Sequence, residues 1–384
     1  MNEEKILNLI ELGEDSQTQF KENIHSPDSL AQEMVAFSNA SGGKILIGVQ
    51  NDGKIKGLTT KDIQRLNQMV SNVSSNNVEP PINPLTKIIK IKQKKIMVVE
   101  MKRGINKPYC TNRGIYITKA GADKRKISQE ELQRLFQDSN KIYADEMLVK
   151  GTSIKDLDIK LFKRTYEKIY EESVEESNLS QQQLLNNLNL MVEDNLTLAG
   201  LLLFGEKPQV SRPIFMIKAV SFFGNDPAGT EYRDEEEIRG TVYGQYKGGK
   251  SFLLRNLKKI QTSPSFNSEG TPEIPKIVIE ELLVNALIHR NYYINSPIRL
   301  FIFDDRVEIV SPGKLPNALT VEKIKYGLSV ARNPILNSFA SKILPYRGIG
   351  TGILRAYKAF PSIEFENNVQ LDQFKAIIYR VNTN

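Results

Sequence analysis

Cysteine and histidine are nearly absent from this chain: Cys110 stands alone, and His25 and His289 are the only imidazoles among 384 residues. One thiol cannot form an intramolecular disulfide, which excludes a disulfide-stapled scaffold and points to a reducing compartment. One Cys and two His also fall short of a His/Cys zinc site. Long apolar runs are missing too. The longest, Leu198–Phe204, is about a third of what a bilayer span requires. The start, Met1-Asn2-Glu3-Glu4-Lys5, is acidic and has neither the basic opening nor the apolar core of a signal peptide. The expectation is a cytoplasmic protein with no membrane partner. Repeats and low-complexity segments are absent as well, and 40% apolar with 25% charged residues describes an ordinary folded chain. Its length calls for two or three domains.

Charge is present and unevenly placed. The net charge is +7, yet residues 87–126 alone hold thirteen Lys/Arg against Glu100 and Asp123, so the rest of the chain is net acidic. Such a segment suits an anionic partner, nucleic acid above all. The alternative is a solvated strand face whose lysines keep a sheet edge soluble.

Periodicity sketches an α+β unit first. Amphipathic spacing predicts a short helix within residues 1–20 and a second over 29–40, capped by Asp28 or Ser29. Residues 44–49 read as a buried strand, Asn51-Asp52-Gly53 as a hairpin turn into 54–56, and 59–77 as a helix. Two strands within 86–102, a strand at 116–118 and a closing helix at 129–137 complete the unit near residue 140. From 141 to 270 the signals are mixed: helices over 158–175 and 180–192, strands near 214–222, and a helix-then-wing pattern at 181–198.

Gly244-Gln-Tyr-Lys-Gly-Gly249-Lys250-Ser251 has Walker A spacing, and residues 300–305, ending in Asp304 and Asp305, could pose as its partner. A true phosphate loop follows a buried strand that aims it. Here the preceding residues are acidic, and 247–260 reads as a plain amphipathic helix.

The strongest chemistry lies after Pro275. Residues 276–290 continue in helical period, with Glu281, Asn285 and His289 four apart on one face and Ile277, Leu282, Leu283, Leu287 and Ile288 on the packing side. Strands at 298–303 and 307–310 follow, then the loop Ser311-Pro312-Gly313-Lys314. Gly348-Ile-Gly350-Thr351-Gly352 opens a helix over 353–360. A glycine-rich turn at a helix start exposes N–H groups suited to phosphate. An Asn oxygen can ligate a hard cation, and a Glu can orient or deprotonate water.

This order of parts resembles the GHKL ATP-binding fold of gyrase B, histidine kinases and MutL-like proteins. Its Glu-x-x-x-Asn helix is matched by Glu281 and Asn285, and its glycine phosphate loop by Gly348, Gly350 and Gly352. Its Asp-x-Gly-x-Gly motif is matched only by Ser311-Pro-Gly313, so Ser311 stands where an Asp would read the adenine amino group. The run from Asn285 to Tyr292, with Phe303-Asp-Asp-Arg-Val-Glu-Ile-Val-Ser-Pro-Gly, is similar to the helicase C-terminal region of Schlafen-related bacterial proteins.

Residues 10–138 resemble the Schlafen-type AlbA-like domain, through Gly13-Glu-Asp-Ser-Gln-Thr-Gln-Phe-Lys21, residues 36–49, Lys107-Pro-Tyr109 and Gly121-Ala-Asp-Lys-Arg125. That family is associated with nucleic acid, which places Lys21, Lys102, Arg103, Lys107, Lys119, Lys124, Arg125 and Lys126 as phosphate contacts, with Tyr109 for stacking. Nuclease members use three acids. Glu14 fits the first position, Gln19 occupies the second, and Asp52 is the nearest acid to the third.

Together the resemblances imply an α+β protein: an AlbA-like domain over 1–140, a mixed α/β connector over 141–270, and a GHKL-like α/β sandwich over 271–384. They imply ATP bound through Glu281, Asn285, His289, Ser311, Gly313, Gly348, Gly350, Thr351 and Gly352, with Mg²⁺ on Asn285 and Glu281 as the ATPase base. The function implied is nucleotide-gated binding of DNA or RNA by a homo-oligomer, in transcription regulation or antiviral defence. The alternatives are a metal-dependent endoribonuclease using Glu14 and Asp52, and a non-enzymatic regulator with a structural C-terminal domain.

Overall fold

The computed structural model describes residues 3–139, 141–229, 231–260, 270–316, 319–348 and 350–380. The chain divides into two compact units, Met1–Ile142 and Tyr143–Asn384, each taken here by itself.

The first unit runs α1 (Glu3–Leu12), β1 (Thr18–Lys21), α2 (Pro27–Asn39), β2 (Gly42–Ile47), α3 (Thr60–Asn76), β3 (Val78–Glu79), β4 (Leu85–Ile91), β5 (Lys94–Lys102), β6 (Cys110–Thr111), β7 (Ile117–Ala120), β8 (Asp123–Lys126) and α4 (Gln129–Asp138). Four strands pair in the order β1-β2-β5-β4, with β1 parallel to β2 and the other pairs antiparallel. The two-residue period of a strand splits the apolar residues between its faces. Ile45, Ile47, Met97 and Val99 pack with α2 and α3, while Leu46, Ile96 and Val98 pack with Ile6 of α1 and Phe20. Gly43 permits this closeness, since a Cβ there would stand 2.4 Å from the Phe37 ring.

Helix α2 begins earlier than expected. Ser26, not Asp28 or Ser29, is its cap, accepting from the Ser29 N–H at 3.3 Å, because Pro27 pre-sets the first helical turn and has no N–H to satisfy. After the Asn51–Gly53 turn, the expected strand at 54–56 reduces to a single Val49–Ile55 bridge.

The second unit begins with α5 (Ile159–Tyr170), α6 (Gln181–Asn187), β9 (Met191–Val192), β10 (Asn195–Leu196), α7 (Leu198–Phe204), α8 (Pro208–Ser211), β11 (Ile217–Phe222), β12 (Tyr232–Ile238) and α9 (Val242–Asn256). It continues with β13 (Lys259–Ile260), β14 (Thr271–Pro272), α10 (Lys276–His289), β15 (Ile298–Ile302), β16 (Arg306–Pro312), α11 (Val321–Lys325), α12 (Pro334–Ile343), α13 (Gly352–Ala359), β17 (Ile363–Asn368) and β18 (Gln373–Tyr379). Six strands form one sheet in the order β12-β11-β15-β16-β18-β17, and only β11 and β15 run parallel.

This sheet corrects the expected boundary at 270. Strands β11 and β12, assigned to a connector, share their ladder with β15, and Ile217 and Ala219 join the same core as Leu300 and Ile309. The expected wing is a two-residue hairpin, β9–β10, and Leu198 already belongs to α7, which is buried along its whole length. Helix α10 is buried on nearly every side, as befits the central helix of a layer, although Ile277 is exposed.

The Walker-like glycines lie inside α9 and serve packing. A Cβ on Gly248 would stand 2.4 Å from Ile238, and one on Gly249 would stand 2.9 Å from Leu283. Lys250 pairs with Glu280 instead of facing a phosphate.

Candidate functional site

Helix α10 ends where the second unit's cleft begins, and its end is held from outside. The last carbonyls of a helix lack intrahelical partners. Here five consecutive ones receive side-chain donors. Ser311 Oγ donates to Ala286 O at 3.1 Å, Tyr292 Oη to Leu287 O at 2.9 Å, and Arg332 Nη1 to His289 O at 3.3 Å. Asn333 Nδ2 serves both Ile288 O and Arg290 O, at 2.8 and 2.9 Å. Arg290 itself is buried, stacked over Phe215 and Tyr292, and donates to Ile294 O and Ser296 O.

In front of that helix end lies a cleft of about 900 Å³, counted to its open mouth. It gathers Asn285, His289, Ser311, Gly313, Gly350 and Gly352, which come from segments up to 67 residues apart (352 − 285). Leu315, Ile324, Phe365 and Phe374 supply apolar walls, and Lys314 and Arg332 supply charge. Gly313 has φ +101, and a Cβ there would stand 2.5 Å from Asn291 Cβ and 2.6 Å from Arg332 Nη1, so no other residue fits. The hairpin β17–β18 fixes the loop beyond it: Lys314 N–H donates to Asp372 Oδ1, and Leu315 N–H to Asn367 Oδ1.

Asn285 Nδ2 donates to Glu281 O at 2.6 Å, and among the described residues its Oδ1 accepts nothing. His289 Nε2 meets Tyr346 Oη at 3.2 Å. Burial, helped by Arg332, pushes the imidazole down to about 4, so it is neutral at ordinary pH. Glu281 is buried and ion-paired with Arg355; burial pushes its carboxyl up while Arg355 pulls it down. Gly348 and Gly350 have φ +70 and +76, Ile349 between them lies outside the described residues, and Thr351 gives α13 no side-chain cap.

These features fit a nucleotide's parts. An uncapped helix start behind a glycine turn suits a polyphosphate, and a free Asn oxygen suits a hard cation. The Ser311 hydroxyl carries no charge, and its proton is already engaged with Ala286 O. Arg332 and Asn333 carry no motif signal, yet both hold the end of α10, and Arg332 also lines the cleft.

In the first unit the expected residues fare differently. Lys107 is buried, and its Nζ donates to Asn39 O and Ala40 O at the end of α2. Tyr109 is buried, its N–H and C=O tied to the Asn39 side chain. Lys119 is buried over Phe37, donating to Gln19 Oε1 at 2.7 Å and to Ala122 O, and burial pushes its pKa down. Lys21 and Lys124 flank buried Glu33, at 3.7 and 2.9 Å. Lys107, Tyr109 and Lys119 thus face inward, whereas Lys21 and Lys124 stay partly exposed beside the one carboxylate they share. Arg125 is exposed and pairs with Glu131, while Lys102, Arg103 and Lys126 are exposed, as are Lys90, Lys92 and Lys95 at the other end of the β4–β5 hairpin.

The acids expected for a nuclease stand apart in their bonding. Glu14 Oε1 accepts from Phe20 N–H at 2.7 Å and from Gln19, while Asp52 pairs with Lys54 at 2.8 Å. Among the described residues no group of three His, Cys, Asp or Glu is placed to hold a metal ion, and no helix is long and apolar enough to cross a membrane.

Comparison with known proteins bears on both units. Residues 14–128 match the family described as "Schlafen, AlbA_2", and residues 295–376 match "Putative ATP-dependent DNA helicase recG C-terminal". Residues 133–218 match a domain of unknown function, DUF8451. None of the curated proteins matches the chain. Among solved structures, the DIP2311 protein of Corynebacterium diphtheriae is 19% identical with a TM-score of 0.48, covering 95% of this chain and 75% of its own. The N-terminal domain of a "putative ATP-dependent DNA helicase RecG-related protein" from Nitrosomonas europaea is 18% identical with a TM-score of 0.24, covering 34% of this chain and 95% of its own. The chain thus carries a Schlafen AlbA_2 domain and a RecG C-terminal-type, ATPase-like domain, the make-up of a nucleic-acid-binding protein.

Proposed function

From a chain that pairs a Schlafen AlbA_2 domain with an ATPase-like domain, we infer a nucleotide-gated binder of DNA or RNA, its C-terminal site of GHKL type. The observation that carries the reading is the convergence of Asn285, His289, Ser311, Gly313, Gly350 and Gly352 on one cleft. ATP would lie there, its phosphates against the Gly348–Gly352 turn, and Mg²⁺ would supply hard-cation charge through Asn285. Neutral His289 offers hydrogen bonding without charge, and Glu281, paired with Arg355, would have to leave that pair to orient or deprotonate water. On the first unit, Lys102, Arg103 and Lys126 would meet the phosphate backbone. Closure over the nucleotide, with dimerisation, would change how that face engages nucleic acid. Transcription regulation or defence against foreign nucleic acid suits such a switch.

Calorimetry of Mg-ATP binding tests the site, with Asn285→Ala and Lys250→Ala beside the wild type. Loss only in Asn285→Ala is expected; no binding by the wild type would reduce the C-terminal unit to a scaffold. Gating is tested by nucleic-acid affinity with and without nucleotide, and equal affinities would remove it.

A further inference from the structure

Glu281 sits in the wrong place for a group waiting only on water. Its carboxylate is buried, with Oε1 paired to Arg355 and Oε2 without a hydrogen-bond partner among the described residues. Oε2 lies against the first residue of α13: a Cβ built on Gly352 would stand 2.1 Å from it. Among the described residues the Arg355 Nε is likewise buried without a partner. A negative charge therefore already rests beside the positive end of α13, holding the guanidinium that projects from that helix's first turn. This is where the glycine turn would place an incoming phosphate. A guanidinium fork can clamp a carboxylate or a phosphate, and two anions sharing it repel each other.

We propose that Glu281 is an internal stand-in anion, which occupies Arg355 and the start of α13 until a polyphosphate displaces it. Arg355 is then the group that changes partner, from carboxylate to phosphate. The glycine at 352 is required because the carboxylate, as well as any ligand, must approach the backbone there. In this arrangement Glu281 weakens ground-state binding, whereas a residue acting solely as a base would leave it alone. The inference rests on the nucleotide reading of the cleft.

The test uses the full chain and calorimetry with two probes, inorganic tripolyphosphate and Mg-ATP. Glu281→Gln keeps the shape and removes the charge, and it is expected to bind tripolyphosphate about tenfold tighter than the wild type or better. Arg355→Met should abolish that binding. Because it strands the buried carboxylate, the double variant Glu281→Gln/Arg355→Met serves as the folded control and should gain nothing over the wild type. Unchanged or weaker tripolyphosphate binding by Glu281→Gln, with a native melting profile, would overturn the proposal. Tighter tripolyphosphate binding without any Mg-ATP binding would keep the stand-in anion and discard the nucleotide reading. Binding of neither probe by any variant overturns both.

Discussion

The two units treat their motif residues in opposite ways. In the second, residues from distant segments converge on an open cleft, with the Asn285 oxygen unbonded among the described residues. In the first, Lys107, Tyr109 and Lys119 turn inward and bond to the ends of α2 and β1. A recurring residue pattern identifies a fold in both units, but only burial and partners separate a residue that builds the fold from one that meets a ligand. A buried amine that donates to two carbonyls is part of the scaffold, however basic its neighbourhood looks.

That contrast can be broken or sharpened experimentally, and Gly313→Ala should give the largest effect. It combines a left-handed φ with overlap against Asn291 and Arg332, so a loss of about 4 kcal/mol or more is expected in denaturant unfolding of the second unit. A mild effect would mean that the cleft wall yields.

Next comes a pH effect with two opposed parts. His289, held down to about 4, takes up no proton between roughly pH 6.5 and 4, whereas the unfolded chain does, so stability falls as pH drops through that window. Asp145, which caps α12 through Ile335 and Leu336 N–H, is pushed up to about 6 by burial. It binds its proton earlier in the folded state and adds stability as pH falls from about 6 towards 4. Each part amounts to at most roughly 3 kcal/mol. Melting curves should steepen with acid in Asp145→Asn and flatten in His289→Gln; parallel slopes in both would refute the assignment.

Within the first unit, Lys107→Met should cost about 2 kcal/mol by leaving Asn39 O and Ala40 O unpaired. Lys102→Ala and Lys126→Ala should leave stability unchanged, weaken nucleic-acid binding, and each lower the salt slope by about one. A Lys107 variant that melts normally but binds weakly would reverse the contrast between the units. The smallest effect belongs to Lys250→Ala, where loss of a half-exposed pair with Glu280 costs no more than about 1 kcal/mol and leaves nucleotide binding intact.

Much of this architecture was legible in periodicity. The apolar spacing of α10, the alternation in β2 and β5, and the glycines ahead of α13 all carry local signals. What escaped is long-range. Arg332 and Asn333 act on carbonyls more than forty residues upstream, and nothing in their own neighbourhood marks them as helix-end donors. The hairpin β17–β18 was not anticipated, although its Asn367 and Asp372 fix the cleft loop. Charge misled in the first unit, because a lysine reads as solvated until its partner is seen, and Gln19 lies 100 residues from Lys119. The boundary near 270 failed because parallel β11–β15 pairing spans a long crossover that carries no local mark.

The held end of α10 has a consequence for the kinetics of occupancy. Ser311, Tyr292, Arg332 and Asn333 join three stretches of chain to one helix terminus, so the rear of the cleft is set before anything enters. Leu319, Ile324 and Leu328 line the same cleft but are not among the groups that hold that terminus. A change at the rear should therefore register as lost stability before it alters the speed of capture.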